Sequence, residues 1–342
     1  MVMSNKQNRI LICPLDWGLG HATRCIPIIR KYLEEKAEVI IAAEGRPFVL
    51  LQNEFPQLQF VKFLGYDIAY AENRSMVLQM LFSSPKIVFK IYQEHQALEK
   101  IIDEYKIDTV ISDNRYGLWN KNVKCIFMTH QIMIKSTNQL KFLEPILYRI
   151  NKWFIKHYDE CWIPDYAGEN NLSGDLSHQY PLPHNAKFIG PLSRFTAHSP
   201  TSSLREEGQK LLILLSGPEP QRTILEKKIM EQLTTIKIKT TIVRGTPGLT
   251  EKLNAPNHVT LYSHLETNQM QEAILNAQII LCRSGYSTIM DLAVLNKKAV
   301  FIPTPGQTEQ EYLASYHAAK GNAIYFKQDE FNLDAICNLK EI

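Results

Sequence analysis

The chain has 342 residues, 45% of them hydrophobic and 21% charged, with a formal net charge of +3. Those proportions exclude a disordered, collagenous or coiled-coil chain, and so small a charge gives no footing for nucleic-acid binding. A chain of this length ordinarily divides into about two domains.

Taken in order, the start Met1–Arg9 is polar and runs directly into a strand at Arg9–Leu15, so no signal peptide is expected. Strands follow at Glu38–Ala43, Gln59–Phe63, Asp108–Ser112, Lys124–Thr129 and Glu160–Ile163, with helical stretches at Thr23–Glu35, Met76–Tyr105 (interrupted at Pro85) and Leu140–His157. The second half repeats the alternation. Its strands are expected at Lys210–Leu215, Lys239–Val243, Val259–Tyr262, Ile279–Cys282 and Ala299–Ile302, and its helices at Gln221–Leu233, Thr267–Asn276, Ser287–Leu295 and Glu309–Lys320. This is an α/β pattern of two doubly wound, Rossmann-like domains with parallel sheets, which bind ligands in a cleft beyond the carboxyl ends of their strands. Residues 1–195 form the first domain and 210–342 the second. The segment 196–209 has linker composition, and the last helix is a candidate to pack back on the first domain. The cysteines, Cys13, Cys25, Cys125, Cys161, Cys282 and Cys337, are scattered without a CxxC pair, as in a reduced cytoplasmic protein lacking structural zinc. No apolar run reaches the roughly 18–20 residues that span a bilayer.

Three loops carry chemistry. The first strand ends in Asp16-Trp17-Gly18-Leu19-Gly20-His21-Ala22-Thr23-Arg24. Gly18 and Gly20 allow close backbone approach, and the third glycine of a dinucleotide fingerprint is missing. His21 falls at a helix N-terminus, where the dipole keeps an imidazole neutral as a general base requires. Asp113, at the end of a later strand of the same sheet, is the candidate to orient it. The plainer alternative is that His21 begins a helix and Asp113 a turn.

In the second half, a buried strand runs into Arg283-Ser284-Gly285-Tyr286-Ser287-Thr288, followed by Asp291 about one turn into a helix. Free N–H groups and hydroxyls there suit a diphosphate, and an acid at that position suits a ribose diol. Thr288 and Asp291 equally fit a capping box. Pro303-Thr304-Pro305-Gly306 then leads to Gln310 and Glu311, polar side chains suited to sugar hydroxyls. Ser216 and Gly217 offer backbone N–H groups, though Pro218 and Pro220 remove donors nearby.

Together these residues resemble a GT-B glycosyltransferase, most nearly the MurG and monogalactosyldiacylglycerol synthase family, glycosyltransferase family 28 type. Gly18-Leu19-Gly20-His21 resembles the loop that faces the acceptor. Gly190-Pro191-Leu192-Ser193-Arg194 resembles the segment that ends in a basic residue near the donor, and Arg283 through Asp291 the donor motif. Gln310 and Glu311 resemble a pair that holds the donor sugar, where the family commonly has two glutamines. The resemblance implies inverting transfer from a nucleotide-diphosphate sugar, UDP-linked, without a metal or a separate cofactor. His21 is then the general base, with His130 as its alternative, Arg194 serves the leaving diphosphate, and the nucleobase lies near Leu265. No Asp-x-Asp pattern occurs in the chain.

Met76–Tyr92 is rich in methionine and other apolar residues. Lys141–His157 interleaves Lys141, Arg149, Lys152 and Lys156 with Phe142, Tyr148, Trp153 and Phe154, a composition suited to an anionic membrane surface or to an ordinary packed helix. A lipid-linked acceptor and a peripheral location on the inner face of the cytoplasmic membrane follow as expectations. The rival readings are a nucleotide-sugar epimerase of the same architecture and a non-catalytic nucleotide-sugar-binding subunit.

Overall fold

The computed structural model describes residues 7–63, 84–196, 210–248 and 254–339. Nearly all of the expected linker, and the Met76–Tyr92 stretch before Ser84, lie outside the described residues. The chain divides into two compact units whose sequence boundary is Leu192–Ser193, with Trp17–Gly20 grouped in the second. Ser193 and Arg194 belong to the second unit because both engage Asp291 there.

In the first unit, the described strands are β1 (Arg9–Pro14), β2 (Glu38–Ala43), β3 (Gln59–Lys62), β4 (Thr109–Asp113), β5 (Lys124–Met128), β6 (Glu160–Ile163) and β7 (Ala186–Phe188). They pair in parallel in the order β3-β2-β1-β4-β5-β6-β7. Continuous apolar runs such as Ile10–Cys13 and Ile40–Ala42 are buried throughout, as expected of strands covered on both faces. The helices are α1 (Leu19–Glu34), α2 (Gly45–Glu54), α3 (Ser84–Tyr105), α4 (Glu144–Ile155) and the short α5 (Asp175–His178), with a 3-10 turn at Asn138–Leu143 before α4.

The second unit has β8 (Leu211–Leu214), β9 (Thr240–Val243), β10 (Val259–Tyr262), β11 (Ile279–Cys282), β12 (Ala299–Phe301) and β13 (Ala323–Tyr325). Their parallel order is β10-β9-β8-β11-β12-β13. The helices α6 (Gln221–Leu233), α7 (Thr267–Asn276), α8 (Tyr286–Val294), α9 (Thr308–Ala319) and α10 (Leu333–Cys337) complete it. The last described helix, α10, buries Leu333 and Ile336 in this second core with Leu211, Leu225 and Ile229.

Both sheets reverse their direction of growth beside their first strand, between β1 and β4 and between β8 and β11. Loops leaving the carboxyl ends of those two strands run to opposite faces, and the gap between them is where doubly wound sheets place ligands.

Candidate functional site

In the first unit, the parallel pairing of β1 with β4 sets Pro14 beside Asp113 at the carboxyl edge. The chain turns through Gly18, at φ +120 in the region that favours glycine, and α1 begins at Leu19. The helix starts earlier than Thr23, so His21 stands in its first turn and reaches back over the sheet edge. Its Nδ1 lies 3.1 Å from Asp113 Oδ2. Asp113 is fully buried and His21 is 17% exposed at its side chain, so the imidazole is the part of this pair open to a substrate.

Arg24, one turn further along α1, is buried between them. Its Nε donates to Asp113 Oδ2 at 2.8 Å and its Nη2 to Asp113 Oδ1. The same Nη2 stands 2.8 Å from His21 Nδ1, and Nη1 stands 3.1 Å from Nδ1 of His130. His130 follows β5, the strand next to β4, which is why it arrives at the same edge. Burial alone pushes the Asp113 carboxyl up. The charge of Arg24 and then the His21 contact outweigh it and hold the group at about 2. A buried Arg115–Glu94 pair, 2.7 Å apart, and the Arg115 side chain over the Phe63 ring fix the turn just beyond Asp113.

In the second unit, the loop after β8 brings Ser216 and Gly217 to the point where β8 and β11 part. Gly217 has φ +101, and a Cβ there would lie 3.5 Å from Thr304 Oγ1, so this turn packs against the one that follows β12. After β11, Gly285 is the N-cap of α8 in extended conformation, a residue with no side chain to cap the helix. A Cβ at Gly285 would meet nothing within 4 Å. Ser287 and Thr288 lie in the first turn and are partly buried. Asp291, further along α8, accepts a hydrogen bond from Ser193 Oγ at 2.5 Å, with Arg194 Nε 4.0 Å away. Burial raises the Asp291 carboxyl to about 6, against the opposing pull of Arg194 and Ser193.

Several expected donor residues also make hydrogen bonds within the second unit. Arg283 is completely buried and donates to Ile302 O, Pro303 O, Gln221 O and Gln328 Oε1. It braces the turn after β12 and so faces backbone carbonyls. Ser284, also fully buried, spends its hydroxyl on Gln310 O at 2.7 Å. Gln310 accepts from Thr304 N at 2.9 Å, which leaves its amide donors as the groups open to a ligand, and Glu311 accepts from Gly306 N at 2.9 Å. Leu265 is buried just before the capping box of α7. Gly20, grouped with the second unit, accepts from Ser287 Oγ at 2.7 Å, and a Cβ there would stand 2.9 Å from that oxygen.

Sequence reasoning missed Arg24 and Ser193. Arg24 carried one usable signal: it follows His21 by the i, i+3 spacing that puts both on one helix face. Thr304 was also passed over; its hydroxyl is buried and has no hydrogen-bond partner among the described residues. Among the described residues no cluster of three or more His, Cys, Asp or Glu has metal-holding geometry.

Two parallel-sheet units of this design, each with a polar loop cluster at its switch point, are the architecture of the GT-B fold. Residues 222–339 match the glycosyltransferase family 28 C-terminal domain, and residues 8–143 match glycosyl transferase family 1. The UDP-N-acetylglucosamine–N-acetylmuramyl-(pentapeptide) pyrophosphoryl-undecaprenol N-acetylglucosamine transferase of Pasteurella multocida is 22% identical, over 98% of this chain and 89% of its own. Among solved structures, the kitacinnamycin glycosyltransferase aligns with TM-score 0.63 at 14% identity, over 97% of this chain and 89% of its own. The MurG of Acinetobacter baumannii aligns with TM-score 0.51 at 15% identity, over 97% and 88%. The chain has the GT-B fold of these solved structures, and its residues 222–339 carry the match to the glycosyltransferase family 28 C-terminal domain.

Proposed function

We propose that the chain is an inverting, metal-independent transferase that moves a sugar from a UDP-linked donor to an acceptor hydroxyl carried on a lipid. The observation that carries this reading is the His21–Asp113 contact at the switch point of the first unit. With its Nδ1 proton donated to Asp113, His21 keeps a lone pair on Nε2 and can take the proton of an acceptor hydroxyl. The oxygen attacks the anomeric carbon on the side opposite the diphosphate. The bond to the diphosphate breaks and the configuration inverts. Asp113 stays ionised and stabilises the imidazolium that forms.

The donor is assigned to the second unit. The uncapped N-terminus of α8, with the N–H groups at Ser287 and Thr288, takes the diphosphate, and Arg194 adds a positive charge. Asp291 accepts from the ribose diol once Ser193 yields its hydrogen bond. Backbone groups at Ser216, Gly217 and Leu265 complete the nucleotide contacts, and Gln310 and Glu311 read the sugar. The name of the Pasteurella relative, which gives a UDP-sugar donor and a pyrophosphoryl-undecaprenol acceptor, supports the choice of both substrates.

The surface of the first unit supports a lipid acceptor. Phe142, Ile146, Ile150 and Trp153 are 71%, 50%, 49% and 58% exposed at helical spacing, among Lys141, Arg149, Lys152 and Lys156. On α3, Val88, Phe89 and Tyr92 are exposed as well. An apolar stripe flanked by cations is what an anionic bilayer surface attracts, and no described helix is long and apolar enough to cross a membrane. The protein is thus assigned to the membrane periphery on its cytoplasmic side.

The test is transfer of label from radioactive UDP-sugars into a lipid extract, with and without chelator, followed by NMR of the product anomer. Labelled lipid of inverted configuration, unaffected by chelator, is expected. Retention of configuration refutes the mechanism. Conversion of donor without acceptor favours an epimerase, and donor binding without turnover favours a binding subunit.

A further inference from the structure

Four residues other than glycine have a left-handed backbone among the described residues. Lys36, Lys106 and Asn296 follow the ends of α1, α3 and α8, where that conformation closes the last turn of a helix. Asn114, at φ 58, follows a strand instead. It is the first residue beyond β4, and its N–H donates to Met128 O at 3.0 Å at the mouth of the β4–β5 pair. Its neighbour Asp113 pairs in register with Pro14 at the end of β1. Asn114 therefore stands at the switch point of the first unit, one residue from the carboxylate that contacts His21.

The amide of Asn114 is idle within the fold. Its Oδ1 is buried and has no hydrogen-bond partner among the described residues. Asn151 and Asn185 also leave Oδ1 unpaired, but each uses Nδ2 to hold two backbone carbonyls, those of Gln131 and Ile132 in one case and of Ile155 and Tyr158 in the other. The Asn114 side chain makes no such bond to a described residue. Both features cost the fold stability: a left-handed residue with a Cβ carries strain, and a covered amide oxygen has lost its water. Glycine would hold the same turn without either cost. The residue as a whole is only partly buried, and rotation of the amide about its last bond exchanges Oδ1 with Nδ2.

We propose that Asn114 is an acceptor-specificity residue: its side-chain amide binds a hydroxyl of the acceptor next to the one that reacts. The ligand class is a polyol, since a carboxamide offers one accepting oxygen and one donating nitrogen to neighbouring hydroxyls. The role rests on the reading of the first unit as the acceptor side, and it adds a contact that neither His21 nor Asp113 supplies. Donor binding, assigned to the second unit, does not involve it.

The test uses Asn114→Gly, which keeps the turn and removes the amide. The acceptor is supplied as the lipid extract in a dilution series, with labelled UDP-sugar as donor. The apparent KM for the extract rises by about tenfold, the loss of one hydrogen bond, while the UDP-sugar dissociation constant is unchanged and the thermal midpoint is unchanged or higher. An unchanged KM, as expected of a residue that only shapes the turn, overturns the proposal, and so does an equal rise in the UDP-sugar dissociation constant. A second readout needs no turnover. In protein with isotope-labelled asparagine, the side-chain amide signal that Asn114→Gly removes should shift when the extract is added in detergent micelles, and not with UDP-sugar alone. A signal that the extract leaves in place overturns the proposal even where transfer is normal. Transfer absent from the parent, with that signal still shifting, would instead retire the transferase reading and keep the contact.

Discussion

Replacing Asp113 by asparagine should destabilise the first unit by an amount that depends on pH. The carboxylate is fully buried, and its partner Arg24 is 2% exposed at the side chain. Removing one member of a buried pair leaves the other uncompensated, at a cost of about 3–5 kcal/mol. Part of that cost titrates. The carboxyl sits at about 2 against an ordinary value of 3.8, a difference worth about 2–3 kcal/mol. Because the folded value is depressed, this contribution is complete above pH 3.8 and is lost as the pH falls through about 2. The stability gap between parent and Asp113→Asn is therefore widest at neutral pH and narrows in acid. Urea unfolding followed by tryptophan fluorescence reports the right region, since Trp119, Trp153 and Trp162 all lie in the first unit. A gap below about 1 kcal/mol at pH 7, the size of an exposed ion pair, would refute the reasoning, as would a gap that does not change with pH.

Three more expectations concern other places. Asp291, raised to about 6 by burial, should be mostly protonated in the free protein at pH 5 and ionised at pH 7. UDP affinity measured by calorimetry should then rise across that interval, and Asp291→Asn should flatten the profile and weaken binding by about tenfold or more, the loss of a charged hydrogen bond. Arg283→Ala should unfold the second unit more easily, by about 3 kcal/mol or more, because it strands several buried carbonyls; a variant that melts like the parent but binds UDP weakly would return Arg283 to the donor site. The double variant Phe142→Glu, Trp153→Glu should lose flotation with anionic liposomes at low salt while keeping its UDP affinity, and undiminished flotation would remove the stripe as the docking surface.

Much of this was legible in the sequence because parallel sheets advertise themselves. Buried strand segments such as Ile10–Pro14 and Ile279–Cys282 read as unbroken apolar runs, and α6 and α7 fall within their expected limits. The His21–Asp113 pairing was legible for a topological reason, since loops after neighbouring parallel strands must open on the same edge. What escaped has physical causes too. Strands β7 and β13 span only Ala186–Phe188 and Ala323–Tyr325, too short to show a pattern. The start of α1 escaped as well, falling at Leu19 and not Thr23, whereas its end was legible to within a residue. Lys36 has φ 59, with Lys36 N donating to Leu33 O and Ala37 N to Tyr32 O, so α1 closes without the glycine that usually marks such an end. Polar residues in a motif look alike whether they face a ligand or a carbonyl. Nothing in the string Arg283-Ser284-Gly285 distinguishes a phosphate contact from the buried brace that Arg283 and Ser284 form. Burial and bonding partners are invisible in the string, because they belong to the fold.

The central claim is that His21 removes the acceptor proton. Its most direct measurement pairs two readings on His21→Ala: the UDP-sugar dissociation constant and the rate of label transfer into lipid. The account predicts a dissociation constant within about twofold of the parent and a transfer rate lower by about 10²–10⁴-fold, the usual share of a positioned base. Transfer at close to the parental rate, with donor binding intact, would contradict it.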